Sequence, residues 1–212
     1  MNYPTEDLLA VLAVESNRHD CVVVGEDLGT VSPLIREQMG QHEIHRMYVG
    51  QFENSLEVWP PISPVAEGVV ASLNTHDTPT AVAFWRGLDI DLRREMELLN
   101  EEEWNSEKKQ RIDLIHKLQS FLNVEGDLFS PSAERAAVIK WIEYLAGSDA
   151  RYVLVNLEDL WLEEKPQNIP GTGPEKPNWK RKSRHSLEEL ANDDSLREIL
   201  RGIDSCRKLV QE

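Results

Sequence analysis

Cysteine is scarce in this 212-residue sequence: Cys21 and Cys206 are the only two, and they lie far apart. That argues against a disulfide framework. Cys21 opens an apolar run and is expected to be a buried thiol. Long apolar runs are lacking as well. No stretch approaches the roughly 18 apolar residues of a membrane span, and mean hydropathy is −0.47. The opening residues, Met1-Asn2-Tyr3-Pro4-Thr5-Glu6-Asp7, have no basic region of the kind that begins a secretory signal. No membrane association is expected, and the setting is expected to be cytoplasmic. Positive charge is in deficit too. Twenty-three Lys and Arg against 38 Asp and Glu give a net charge of −15. Such a field repels a phosphate backbone, which counts against nucleic acid, and is indifferent to a neutral ligand such as a sugar.

What is present is a pair of acidic motifs, each placed where a β-strand runs out. The first is Val22-Val23-Val24-Gly25-Glu26-Asp27-Leu28-Gly29, and the second is Val69-Val70-Ala71-Ser72-Leu73-Asn74-Thr75-His76-Asp77. Carboxylates converging from separate strand ends are how α/β barrels build acid/base chemistry. Around them the chain alternates strand, loop and helix. Residues 7–15 have helical spacing. Cys21–Gly25 reads as a parallel strand covered on both faces. Ser32 and Pro33 read as the cap and first position of a helix ending at Gly40. Residues 46–52, 69–73 and 151–157 read as further strands, and Thr78-Pro79 starts a helix running to Gly87. This alternation predicts βα units and a parallel sheet.

Residues 88–148 break the rhythm with three helices, over 91–100, 105–122 and 131–145. The middle one sets Ile112, Ile115 and Leu122 on one face. Residues 163–185 form a Pro- and Gly-rich loop, expected to be ordered because it carries Ile169 and Trp179. Residues 186–212 read as closing helices. The whole chain, 1–212, reads as one domain with four parallel strands, half the complement of an eight-stranded barrel, for which about 250 residues is typical.

Each motif has a functional and a plain reading. Glu26 suits a carboxylic acid placed beside a glycosidic oxygen. Gly25 and Gly29 bracket it and would admit close approach of backbone to ligand. Plainly read, Glu26 and Asp27 are a polar strand end or a cap cluster. His76 and Asp77 could orient sugar hydroxyls and stabilise positive charge at an anomeric carbon. Plainly read, they cap the next helix. Glu26, Asp27, His76 and Asp77 together could instead hold a divalent ion for a metal-dependent hydrolase. The basic run Lys180-Arg181-Lys182 is expected to be a solvated or ion-paired surface segment. Tyr48, Trp59, Trp85, Trp161 and Trp179 could stack on sugar rings but are expected to be core or partial core.

Taken jointly, four segments resemble the 4-alpha-glucanotransferases, also called amylomaltases or disproportionating enzymes, of glycoside hydrolase family 77. They are residues 24–31 (Val-Gly-Glu-Asp-Leu-Gly-Thr-Val), 75–80 (Thr-His-Asp-Thr-Pro-Thr), 168–172 (Asn-Ile-Pro-Gly-Thr) and 177–182 (Pro-Asn-Trp-Lys-Arg-Lys), in family order and spacing. Tyr3-Pro4 with Asp7-Leu8-Leu9 resembles the family's helix before its acid/base strand. The resemblance implies retaining transfer of α-1,4-glucan segments between maltooligosaccharides on a TIM-type (β/α)8 barrel. It carries Glu26 to the general acid/base and Asp77 to the transition-state-stabilising carboxylate. His76 is carried to a sugar contact in the cleavage subsite. Asp27, Asn74, Asn168 and Gly171 are expected to assist substrate binding, with Pro170 in the same loop. No metal or organic cofactor is implied.

One family feature is missing. The nucleophile is an Asp in an Asp-His-Phe motif on the preceding strand, and no such motif occurs here. Asp127-Leu128-Phe129 lacks the His and lies in the helical insertion. The expected protein is therefore the C-terminal half of such a barrel, inactive alone, with glucans and a chain supplying the missing strands as its partners. A non-catalytic glucan-binding or structural remnant is the alternative.

Overall fold

The computed structural model describes residues 4–211; Tyr3, part of the resemblance, lies outside them. Helix α1 (Thr5–Arg18) has Glu6 and Asp7 in its first turn and Arg18 in its last, an arrangement that complements the helix dipole. It buries no residue. Leu8, Val11, Leu12 and Val14 all stand exposed along it. Helix α2 (Pro33–Gln41) starts on a proline at its first position, whose missing N–H and fixed φ suit that place. Ser32 is the N-cap residue but makes no side-chain cap bond, and the helix runs through Gly40.

Three short strands form a parallel sheet in the order β1 (Met47–Val49), β2 (Val70–Ser72) and β3 (Tyr152–Leu154). Met47 pairs with Val70, and Val70 with Tyr152. Residues 21–25 do not complete a fourth strand. They join through one parallel bridge, Val24 to His45, with Gly25 N–H donating to the His45 carbonyl at 2.9 Å. Val22 and Val24 are exposed, and so is Cys21, which is not the buried thiol the run suggested. A continuous apolar run is buried on both faces only where elements cover both faces, and here they do not. The bridged segment and β3 are thus the outer edges.

One sheet face, carrying Tyr48, Ala71 and Val153, packs into the main core with Phe84, Trp85, Trp141 and Leu145. The alternate positions of the strands point to the other face, where Val49, Val70 and Ser72 are buried and only the β3 edge opens, with Tyr152 38% and Leu154 55% exposed. Helix α3 (Ala81–Arg86) is capped by Thr80, whose hydroxyl accepts from Ala83 N–H, and not by Thr78. Gly87, at φ +68°, ends it in the left-handed conformation that glycine adopts without strain.

The insertion is three helices, as the sequence predicts, with shifted bounds: α4 (Leu88–Glu95), α5 (Glu101–Phe121) and α6 (Pro131–Ala146). Asn100 does not end α4. It forms a capping box with Glu103 at the start of α5. In α5, Ile115 and Leu118 are fully buried, whereas Ile112 is 40% exposed. A bidentate pair of Arg111 with Asp89 ties α5 to α4, and one of Arg86 with Glu134 ties α3 to α6. Helix α7 (Leu157–Leu160) follows β3, and α8 (Leu187–Asn192) and α9 (Asp194–Gln211) close the chain. Leu196 and Ile203 of α9 join the core. No helix among the described residues is long and apolar enough to cross a membrane.

Candidate active site

The two acidic motifs lie at the same end of the sheet, just past the C-terminal ends of parallel segments. Their side chains have different fates. Glu26 is exposed and makes no hydrogen bond or ion pair among the described residues. Asp27 is buried. It accepts from Arg46 Nε at 2.6 Å, Arg36 Nε at 3.2 Å and the Met47 N–H at 3.1 Å. Burial pushes its carboxyl up, but the Arg46 bond, the Met47 N–H and Arg36 outweigh burial and hold it below the ordinary range. Asp27 is therefore a clamp between its own loop, α2 and β1, rather than a group facing a ligand. The glycine before it has a packing reason as well. A Cβ on Gly25 would come within 2.6 Å of Met39 Cε and 3.1 Å of Ile44 Cγ2, so the close approach there is by α2 and its following turn.

The second motif is built on a buried base. Asn74 Nδ2 donates to both carboxylate oxygens of Asp159, at 3.1 and 2.9 Å, and the Ala81 N–H donates to one of them at 2.8 Å. Asn156 in turn donates to the Asn74 side-chain oxygen. Burial raises the Asp159 carboxyl to about 6, against the opposing pull of the Ala81 and Asn74 donors. Asp159 thereby fixes both ends of the loop from Asn74 to Ala81. Within that loop the Thr75 N–H donates to Thr78 Oγ1 at 2.9 Å, and the Asp77 N–H donates to Thr75 Oγ1 at 3.2 Å. His76 and Asp77 are left exposed at its tip, paired Nε2 to Oδ2 at 3.3 Å.

The 163–185 loop folds over this tip. Asn168 Nδ2 donates to Asp77 Oδ1 at 2.6 Å. Ile169 N–H donates to Asn178 Oδ1 at 3.1 Å, and Asn178 Nδ2 donates to Thr172 Oγ1 at 2.8 Å, so the loop is ordered by its own polar contacts. Gly171 lies exposed in it at φ +78°, a left-handed turn position. Trp179 is not core. It is 62% exposed, at a φ of +59° rare for an aromatic residue, with its ring 5.4 Å from that of His76. Trp59 is exposed as well, whereas half-buried Trp161 and the core residues Tyr48 and Trp85 are as expected.

A cleft of about 370 Å³ opens here, lined by Ser72, Asn74, His76, Asn156, Glu158 and Trp179 among others. Of the site residues expected from the sequence, Asn74 and His76 line this cleft; Asp77 is joined to His76 and Asn168 beside it, and Asp77, Asn168, Gly171, Glu26 and Asp27 lie outside its lining. Among the described residues no three His, Cys, Asp or Glu side chains gather as metal ligands, so the four-residue ion site of the hydrolase reading is not assembled. A larger cavity, about 740 Å³, opens at the opposite, N-terminal end of the strands beside Cys21, His45, Gly68 and Arg151. Val22, Val23 and Val69 of the two motifs line it, but none of their carboxylates and not His76. Sequence reasoning missed Asp159 as the support of the smaller cleft. The available signal was its place just past the 151–157 strand, where a third strand-end carboxylate would fall.

Residues 1–187 match the family model described as 4-alpha-glucanotransferase. The chain belongs to the 4-alpha-glucanotransferase family. It is 31% identical over 217 residues to the 4-alpha-glucanotransferase of Haemophilus influenzae, covering 99% of this chain and 31% of that protein. It is 30% identical over 188 residues to the Mycobacterium tuberculosis 4-alpha-glucanotransferase, covering 85% of this chain and 26% of the other. The fold is shared with amylomaltase from Corynebacterium glutamicum, at a TM-score of 0.80, 20% identity, and 96% and 31% coverage of the two chains. Amylomaltase from Streptococcus agalactiae, solved in complex with acarbose, gives a TM-score of 0.64 at 15% identity, over 98% and 36%. The chain therefore spans about a third of the length of the 4-alpha-glucanotransferases it matches.

Proposed function

We propose that this chain is the C-terminal half of a 4-alpha-glucanotransferase barrel and supplies the acid/base side of its glucan-transfer site. In this reading Glu26 protonates the glycosidic oxygen that leaves, then removes the proton from the incoming 4-hydroxyl of an acceptor glucan. Asp77 sits beside the anomeric carbon and stabilises the positive charge that develops there. His76 and Asn168 hold Asp77, and the exposed Trp179 offers a flat apolar surface to a sugar ring. The nucleophilic carboxylate that forms the glycosyl-enzyme bond comes from outside these 212 residues, on strands that pair with the free edges at Val24 and β3 and cover Tyr152 and Leu154. Alone, the chain is inactive.

The observation that carries the reading is the contact chain Asn168–Asp77–His76–Trp179, whose His76 and Trp179 line one cleft past the C-terminal ends of parallel strands. Maltooligosaccharides are the ligands it suits. The S. agalactiae amylomaltase solved with acarbose is in keeping with that.

The test is reconstitution. The chain is mixed or co-expressed with a fragment carrying the missing strands of a family member, and maltotriose disproportionation is followed by product analysis. Activity is expected only for the pair. Glu26→Gln in the pair should lower the rate by about 10²- to 10⁴-fold, the usual worth of general acid/base help. An unchanged rate for that variant would sink the assignment. Glucan binding by a pair that never turns over would point to a non-catalytic remnant.

A further inference from the structure

Asp159, Asn74 and Asn156 form a chain of side-chain hydrogen bonds that has a direction. An ionised carboxylate can only accept. Asn74 therefore turns its NH2 to Asp159, donating to Oδ1 at 3.1 Å and to Oδ2 at 2.9 Å. Its own Oδ1 is left as the acceptor for the next residue, and Asn156 answers with its NH2. The same NH2 reaches the Asn74 carbonyl at 3.4 Å. Asn156 stands exposed and lines the 370 Å³ cleft. With its nitrogen engaged on Asn74, its Oδ1, which accepts no bond among the described residues, is the atom left for the cleft. The charge on Asp159 thus fixes, two side chains away, the chemistry that Asn156 offers.

A protonated Asp159 cannot keep this arrangement. Oδ1 already holds two donors, the Ala81 N–H at 2.8 Å and the Asn74 amide, whereas Oδ2 holds the amide alone. A proton from solvent therefore adds to Oδ2 and makes it a donor that meets the NH2 of Asn74. Both groups are buried, so a donor facing a donor is costly. Turning the Asn74 amide over removes the conflict, because its oxygen then accepts from Oδ2–H. Its NH2 now faces Asn156, which must turn over in the same way to offer an acceptor. Such a turn exchanges oxygen for nitrogen at nearly the same place and needs no backbone movement.

The carboxyl is placed to visit both states. Burial raises it to about 6, and Glu158 beside it on α7 adds like charge in the same direction. Of the elements packed around it, α3 and α6 bring Arg86 and Glu134, which pair with each other. The cleft side brings His76 and Lys165, and neither bonds to Asp159 or Asn156 among the described residues.

We propose that Asp159 is a positioning residue acting through this relay: when it takes up a proton both asparagine amides turn over, and Asn156 presents an N–H donor to the cleft in place of an oxygen acceptor. The cleft changes its hydrogen-bonding character with pH while no charge enters it. The relay does not depend on what the cleft binds.

The test is an NMR titration of the isotope-labelled 212-residue protein from about pH 4 to about pH 8, either side of the value for Asp159. The Asp159 carboxyl carbon and the side-chain NH2 signals of Asn74 and Asn156 are followed. Asp159→Asn, Asn74→Ser and Asn156→Ser identify them. All three should move together with one midpoint near 6, and in Asp159→Asn the Asn156 transition should vanish. A carboxylate that merely holds the loop would titrate without moving the Asn156 NH2; that outcome overturns the relay, as does an Asp159 carboxyl that does not titrate in this range. Histidine also titrates here, so the series is repeated in His76→Gln, where the Asn156 transition should persist. Its loss there would assign it to His76 and overturn the proposal. If Asp159→Asn fails to fold, the shared or separate midpoints of the unsubstituted protein still decide.

Discussion

Asp159→Asn separates the two forces acting on the carboxyl beneath the His76–Asp77 loop. The group is 2% exposed. Three donor contacts, two from Asn74 and one from Ala81, favour the charged form, and burial opposes it. Burial prevails, raising the carboxyl from 3.8 to about 6. At about 1.4 kcal/mol per tenfold in proton affinity, that rise corresponds to roughly 3 kcal/mol. The direction in pH follows from proton counting. Below pH 3.8 the group is protonated both folded and unfolded. Between 3.8 and about 6 the folded protein keeps a proton that the unfolded chain has released, so stability falls as pH rises. Above 6 the full cost is present and constant. Asparagine has no proton to titrate there, so the stability of the unsubstituted protein minus that of the variant isolates the group. Urea unfolding at a series of pH values should show this difference falling by about 2–3 kcal/mol between pH 4 and pH 7. A difference that stays flat, or rises with pH, would show that the donors outweigh burial and would refute the reasoning.

Asp27 should behave in the opposite sense. Its carboxyl lies below the ordinary value, so its contribution is present above pH 3.8 and disappears only as pH falls through the lower folded value. Asp27→Ala is expected to cost about 2 kcal/mol in urea unfolding at pH 7, because it strips a charged acceptor from the Met47 N–H and two arginines; a loss under about 0.5 kcal/mol would speak against the clamp. Arg86→Ala leaves Glu134, fully buried, with neither of its 2.6 Å donors. It should cost about 3 kcal/mol, and more than the joint replacement Arg86→Met with Glu134→Leu, since an abandoned buried charge is worse than none. Thermal unfolding of the three proteins would rank them.

The sequence was most legible where local chemistry decides the outcome. Strand-end carboxylates, the Pro33 and Pro131 helix starts and the Ser186 cap are all readable from short patterns, and the structure has them. The errors share one cause. Residues 21–25 have the composition of a covered strand, and α1 has apolar residues at helical spacing, yet both are exposed, because burial depends on covering neighbours and no element among the described residues covers these segments. Trp179 misled in the same way: indole area usually goes inside, and here the backbone at φ +59° holds it at the cleft. Glu26 and Asp27 are adjacent and chemically alike, but the chain reverses their exposure through contacts 9 to 20 residues away, which no local pattern encodes.

The parallel register also sets an order of events in folding. Met47 meets Val70 across 23 residues of chain, whereas Val70 meets Tyr152 across 82. Closing the longer loop costs about 1 kcal/mol more in chain entropy, from the logarithmic growth of closure cost with length. Strand β3 is therefore expected to join after the insertion helices have gathered the intervening chain and brought α6 onto β2. Pulse-labelled hydrogen exchange during refolding should find the Gly50 amide, bonded to Ser72 across the first pair, protected before the Arg151 amide, bonded to Val69 across the second. Simultaneous protection would mean that the helical insertion and the sheet assemble in one step.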